Sequence, residues 1–220
     1  MVNAKHAILN RRAIRAFKDT PVSDEEFRSI IKMAQKAPSW IDSQPGRVVI
    51  ATGDKLNRMR AVHQQLNADP GIHTNSDVPF VPISEWDSES QFNMTTRGAT
   101  GPQIFGAEQW TQMKGSQSAR LFNAPAVAYL TLPKDYTPWS LYDLGAFGEA
   151  IMVAAQSIGV DSIPAFEFIK YPDRLRETLN VSADREFIIG IGLGHADEDA
   201  PINRINAPRM DLDQVLKIIK

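Results

Sequence analysis

The sequence predicts a sheet with alternating helices, α+β or α/β, and three observations carry that prediction. Apolar runs of strand length at residues 48–51, 126–132 and 187–192 are separated by segments of helical periodicity. Two helical segments of the chain, one before the first of these runs and one between the second and third, open on capping-box patterns. Near the start, Asn10-Arg11-Arg12-Ala13-Ile14-Arg15-Ala16-Phe17 interleaves three arginines with apolar side chains, a pattern unlike a solvated basic run.

With 220 residues and no Pro-, Gly- or Ser-rich linker, the chain is expected to form a single domain over 1–220. A net charge of −2 and a pI near 6.1 provide no overall field for nucleic acid or anionic lipid, so an anion site must be local. The absence of cysteine removes disulfides, thiolate metal sites and thiol nucleophiles together. Nothing at the N-terminus resembles a signal peptide, and the apolar runs are shorter than the ~20 residues of a membrane span. The expectation is a soluble cytoplasmic protein.

Residues 3–10 read as a short helix with Ala4, Ala7 and Ile8 on its apolar face and His6 on the surface. In the arginine segment, Ile14 and Phe17 are spaced to anchor the chain to a core. Arg11, Arg12 and Arg15 are then left as donor forks for one phosphate or carboxylate, or as partners of surface acids. Ser23 and Glu26 form a capping box and Val22 and Phe27 a hydrophobic staple, starting a helix whose face is Phe27, Ile30, Ile31 and Ala34 and which ends at Pro38. Residues 37–45, with two prolines and short polar side chains, make either a binding loop or a plain connection.

A strand at 48–51 closes at Gly53, and a helix over 55–66 presents Leu56, Met59, Val62 and Leu66, with His63 beside them as a structural residue. Residues 68–115 hold four prolines and scattered aromatics without a sustained period. This is an excursion with short helical pieces, either a lid over a pocket or a segment packed on the body. A short helix over 116–122 carries Gln117 and Arg120 on one face, and 126–132 is the second strand. After Trp139, Ser140 and Asp143 suggest a capping box for a helix buried through Leu144, Phe147, Ile151, Ala154, Ala155 and Ile158 and ended by Gly159. Its small residues allow close approach. Residues 161–166 read as a strand broken by Pro164, Pro172 opens a helix to Leu179, and 187–192 is a buried strand. Gly190, Gly192 and Gly194 lack the lysine of a P-loop. The tail, 200–220, carries Arg204 and Arg209 and an amphipathic end suited to a partner subunit.

Five of these stretches, taken in order, resemble the FMN-dependent nitroreductase family: the Arg11–Phe17 segment, the loop from Ala37 to Pro45, the Leu144-Gly145 helix, the 189–194 strand and the Asn203-Arg204 to Arg209 tail. The resemblance spans nearly the whole chain. It implies an α+β nitroreductase-like fold, with a mixed central sheet flanked by helices, in an intertwined homodimer that binds two FMN at the subunit interface and uses NADH or NADPH as reductant. Carried onto these positions, it places Arg11, Arg12 and Arg209 near the FMN phosphate and ribityl chain, and Arg15, Gln117 and Arg120 at the pyrimidine edge. Pro38, Ser39, Trp40, Asp42 and Gln44 would come from the second subunit, while Pro164, Ala165 and Phe166 would face the ring. Three positions depart from the family pattern: Ala13 stands for a usual serine, Trp40 for a small residue and Asp42 for asparagine.

The resemblance further implies ping-pong hydride transfer from NAD(P)H through the flavin to a nitroaromatic, quinone or similar electron-poor acceptor. No catalytic side chain and no metal are expected. Two other classes stay open, a flavoenzyme of the same fold performing dehalogenation or dehydrogenation, and a flavin-binding protein without activity. The 68–115 excursion would be the lid, and the tail would reach the partner.

Overall fold

The computed structural model describes residues 3–97 and 99–220. Its centre is a four-stranded sheet in the order β1-β2-β4-β3, built from β1 (Arg47–Thr52), β2 (Ala126–Pro133), β3 (Asp161–Ala165) and β4 (Arg185–Gly194). The ladders between these strands run antiparallel, and parallel pairing enters at the isolated Ala13↔Ser162 bridge. Strand β2 is buried from Ala126 to Leu132, as a central strand covered on both faces must be, and its side chains divide between two cores.

One core joins Ala128, Leu130 and Ile191 to α2 (Asp24–Ala34) and α7 (Pro138–Ser157). Helix α2 starts as its sequence demands: Ser23 Oγ accepts the Glu26 N–H at 3.2 Å and Glu26 Oε2 accepts the Ser23 N–H at 2.7 Å. Helix α7 starts earlier than expected. Thr137 and Ser140 form its capping box and Pro138 is its first residue, so Ser140 and Asp143 do not cap it, and Asp143 turns inward instead. Gly159 ends it at φ 84°, with the Val160 N–H returning to Ala155 O at 3.0 Å.

The other core packs Val127, Tyr129 and Phe187 against α3 (Gly53–Ala68) and α8 (Pro172–Leu179). The buried positions of α3 are Leu56, Met59 and His63; Val62 is exposed and Leu66 half-buried, and both line an open groove between α3 and α8 with Leu175 and Thr178. Proline at 164 does not break β3. The strand lies at the edge of the sheet, where the missing donor faces no neighbour. A Cβ on Gly190 would collide with Phe168, and one on Gly192 would lie 2.9 Å from its Cζ, so these glycines admit an aromatic ring, not a phosphate.

Helix α1 (Ala4–Asn10) forms as predicted and buries Ala7, but Ile8 and Leu9 are 58% and 71% exposed. The excursion after α3 consists of short pieces: α4 (Ser88–Phe92), α5 (Thr100–Phe105) and α6 (Ala107–Ala119). The expected helix at 116–122 is the end of α6 followed by a left-handed turn at Leu121, Phe122 and Asn123. The chain finishes with α9 (Leu212–Val215), whose Leu212 and Val215 are exposed. No helix among the described residues is long and apolar enough to cross a membrane.

Candidate functional site

The arginine segment is held between α7, the edge strand β3 and the start of the tail. Ile14 and Phe17 are buried, and the Ile14 N–H donates to Ser162 O at 3.0 Å. The Ala13↔Ser162 bridge therefore brings Arg11, Arg12, Ala13 and Arg15 beside the strand that ends in Pro164 and Ala165 and leads into Phe166. Arg11 Nε lies 3.3 Å from Glu149 Oε1 on α7, whose side chain is 51% exposed. Arg12 Nη1 donates to Asn203 O, and Arg15 Nη1 donates to Ala13 O at 3.2 Å. Burial pulls the Arg15 guanidinium below its ordinary value. Among the described residues no carboxylate pairs with Arg12 or Arg15, so the segment carries positive charge that a bound anion would compensate.

Asn203 is the positioning residue that sequence reading missed. It is 3% exposed; its Oδ1 accepts the N–H groups of Arg15 and Ala16 at 2.7 and 3.1 Å, and its Nδ2 donates to Ala16 O and Asp197 O at 2.7 and 2.9 Å. One side chain thus fixes the backbone that aims Arg15. Nothing local signals this, since its partners at 15 and 16 lie at the other end of the chain.

Gln117 and Arg120 come from the end of α6. Met113, one turn before Gln117 on the same face, packs against Ala16, Ile202 and Ile205. Gln117 Oε1 is buried without a hydrogen-bond partner among the described residues, while Arg120 is exposed and donates to Ser116 Oγ at 2.9 Å. His63 ties this end to the segment containing Phe166. Its Nδ1 is 3.2 Å from Ala119 O and its Nε2 is 3.2 Å from Glu167 Oε1.

Asn67 donates to the same Glu167 oxygen at 2.7 Å, and Lys170 Nζ lies 3.6 Å away. Burial alone would raise the Glu167 carboxyl, but the hydrogen bonds from His63 and Asn67 and the charges of His63 and Lys170 outweigh it and bring it down to about 2. Because the folded value lies below the ordinary carboxylate value of about 4.3, this clamp stabilises fully above that pH and its contribution is lost as pH falls toward 2. Glu167→Gln should therefore lower the melting temperature at pH 7, with the gap to the unsubstituted protein closing between about pH 4.5 and 2. Parallel melting curves across that window would exclude the clamp.

The loop from Pro38 to Gln44 sits apart, at the start of α7. No hydrogen bond or ion pair joins it to the arginine segment among the described residues. It lines a cleft of about 510 Å³ with Asp143 and Phe147. Trp40, 51% exposed, stacks on Trp139 with ring centroids 4.5 Å apart, so it is not a core residue. Arg209 is likewise exposed in the tail, with Nη1 donating to Ala207 O at 2.9 Å. Among the described residues no group of three or more His, Asp or Glu could hold a metal ion.

Fold and site together define an α+β protein with a cationic cradle at the edge of an antiparallel sheet. The chain belongs to the Nitroreductase family, whose model matches residues 8–195. It is 27% identical over 213 residues to a 4-nitrobenzoate reductase from Pseudomonas putida, covering 92% of this chain and 89% of that protein. It is 28% identical over 212 residues to a nitrobenzene nitroreductase from Ectopseudomonas oleovorans, covering 94% and 92%. The crystal structure of the FMN-dependent nitroreductase NfnB from Mycobacterium smegmatis in complex with NADPH superposes with a TM-score of 0.90 at 27% identity, over 99% of this chain and 98% of that one.

Proposed function

We propose that this protein is an FMN-dependent NAD(P)H oxidoreductase that reduces nitroaromatics, quinones or similar electron-poor acceptors, working as a cytoplasmic homodimer. The observation that carries the reading is the arginine segment: three anchored guanidiniums, two of them without a carboxylate, beside the end of β3. The residues fit FMN. Arg11 and Arg12 would hold its phosphate, Gln117 Oε1 offers an unused acceptor to an N–H of a flavin edge, and Arg15 supplies fixed positive charge there.

Bound FMN would supply hydride acceptance and donation at one ring atom. This chain's residues do the rest. Arg15, fixed by Asn203, favours negative charge at the pyrimidine edge without having to reorganise. Pro164, Ala165 and Phe166 present a stacking surface, and Phe80 from the excursion meets Phe166 with ring centroids 5.8 Å apart, which supports a role for 68–115 as a cover that keeps water out. The excursion is tied down near there, because Asp77 accepts from Arg176 at 2.6 Å and from the Phe187 N–H at 2.8 Å. No side chain has to donate or remove a proton on carbon.

The second half of the site, from Pro38 to Gln44, would come from a partner subunit, while Arg209 would join Arg11 and Arg12 near the phosphate. Exposed Leu9 on α1, Tyr142 on α7 and Ile219 in the tail, 71%, 69% and 83% exposed, support a mutual interface. The purified protein should be yellow, sediment at twice 24.5 kDa and oxidise NAD(P)H when given a nitroaromatic or quinone. Colourless protein that cannot be reconstituted with FMN would overturn the cofactor, and a 24.5 kDa species when flavin-loaded would overturn the dimer. Turnover of halogenated but not nitro acceptors would move it to another chemistry.

A further inference from the structure

Asp143 is a buried acid for which the reading above provides no role. It is 5% exposed on α7, and no Lys, Arg or His pairs with it among the described residues. Instead both carboxylate oxygens accept the Trp40 backbone N–H, at 3.1 and 3.0 Å, and Oδ2 also accepts the Ser43 hydroxyl at 3.3 Å. Taking a carboxylate out of water is costly unless hydrogen bonds replace hydration, so these two donors, the Trp40 N–H shared between both oxygens and the Ser43 hydroxyl, are what keep it there.

What they hold is a loop that its own backbone resists. Ile41, Asp42 and Gln44 have φ of 46°, 58° and 45°, and none is glycine. Ile41 is β-branched and 86% exposed, so packing of its side chain does not enforce the conformation. Such residues persist only where their surroundings determine them. Within the loop, Ser39 Oγ accepts the Gln44 N–H at 3.0 Å and Asp42 Oδ1 accepts Gln44 Nε2 at 2.9 Å. From outside, two residues one turn apart on α7 grip Trp40: Asp143 takes its backbone and Trp139 stacks on its ring at an interplanar angle of 24°.

Resting on the FMN reading of the site, we propose that Asp143 is a positioning residue: by binding the Trp40 N–H and Ser43 hydroxyl it holds residues 39–44 in the left-handed turn that presents Ser39, Asp42 and Gln44 to the cofactor. Trp139 completes the clamp by fixing the Trp40 ring.

The test uses the full-length protein, with and without FMN, and two readouts. Stacked indoles produce an exciton couplet in the far-ultraviolet circular dichroism, which reports the loop whether or not flavin is bound; Trp139→Phe identifies it by removing it. Asp143→Leu should lose the couplet and bind FMN at least about tenfold more weakly, the loss of roughly one hydrogen bond to a charged group. Asp143→Asn, whose amide oxygen still accepts the Trp40 N–H while Ser43 Oγ accepts from its nitrogen, should restore the couplet and bring FMN affinity to within about threefold. A folded Asp143→Leu with couplet and affinity unchanged overturns the proposal, as does an Asn variant no better than Leu. Should Leu prevent folding, retention of couplet and affinity by Asn decides for the proposal, and their loss against it. If the unsubstituted protein binds no FMN, the cofactor reading fails, while the couplet in the apoprotein still decides whether Asp143 sets the loop.

Discussion

Arg11→Ala should emerge from purification depleted of FMN and rebind it roughly tenfold to a hundredfold more weakly. A hydrogen bond to a charged group contributes about 1.5–3 kcal/mol, which sets that range. The same substitution should leave the melting temperature of the apoprotein almost unchanged. The interaction it removes in the chain is the 3.3 Å pair with Glu149, whose side chain is half exposed, and pairs of that kind are worth ~0–1 kcal/mol. Flavin fluorescence titration and melting of the apoprotein separate the two effects. An affinity within a factor of two of the unsubstituted protein would show that Arg11 serves Glu149 and not a phosphate.

Asn203→Leu should have the opposite signature, a large loss of stability that carries the site with it. The substitution leaves the Arg15 and Ala16 N–H groups without their partner, in surroundings where the side chain is 3% exposed, while the Ala16 and Asp197 carbonyls keep the Asp197 and Ala200 N–H groups. Each buried polar group left unsatisfied costs about 1–3 kcal/mol. For a chain of this size about 1 kcal/mol moves the melting temperature by roughly 2–4 °C, so a fall on the order of 10 °C is expected. FMN affinity should drop too, because the backbone that aims Arg15 is released. A fall of less than about 3 °C with unchanged affinity would mean that water replaces the amide and that Arg15 is aimed by other contacts.

The contrast between Arg11 and Asn203 also marks where reading the sequence reached and where it stopped. Arg11, Arg12 and Arg15 stood out because charge interleaved with Ile14 and Phe17 is a local pattern, and those two side chains are buried as the spacing required. Asn203 forms its bonds to residues 15 and 16 across almost the whole chain, a distance over which composition and periodicity carry no information. His63 is intermediate: its place beside the apolar face of α3 marks it as structural, but its link between Ala119 and Glu167 depends on three elements meeting.

By itself the sequence determined the elements whose causes are short-range: the capping box of Ser23 and Glu26, the staple of Val22 and Phe27, the helix running from Pro172 to Leu179 and the buried strand around Phe187. Hydrogen bonds three residues apart and apolar periods of two or 3.6 are written into neighbouring residues. Tertiary structure alone decided which of several competent residues were used. Thr137 and Ser140 cap α7 because the helix starts at Pro138, and this frees Asp143, the expected capping partner, to turn inward and hold Trp40. Pro164 is tolerated because β3 falls at the edge of the sheet, and Gly190 and Gly192 are needed because Phe168 crosses them. The physical reason is the same in each case: a side chain's donors, bulk and charge fix what it is able to do, whereas burial and the partner across the fold fix which of those it does.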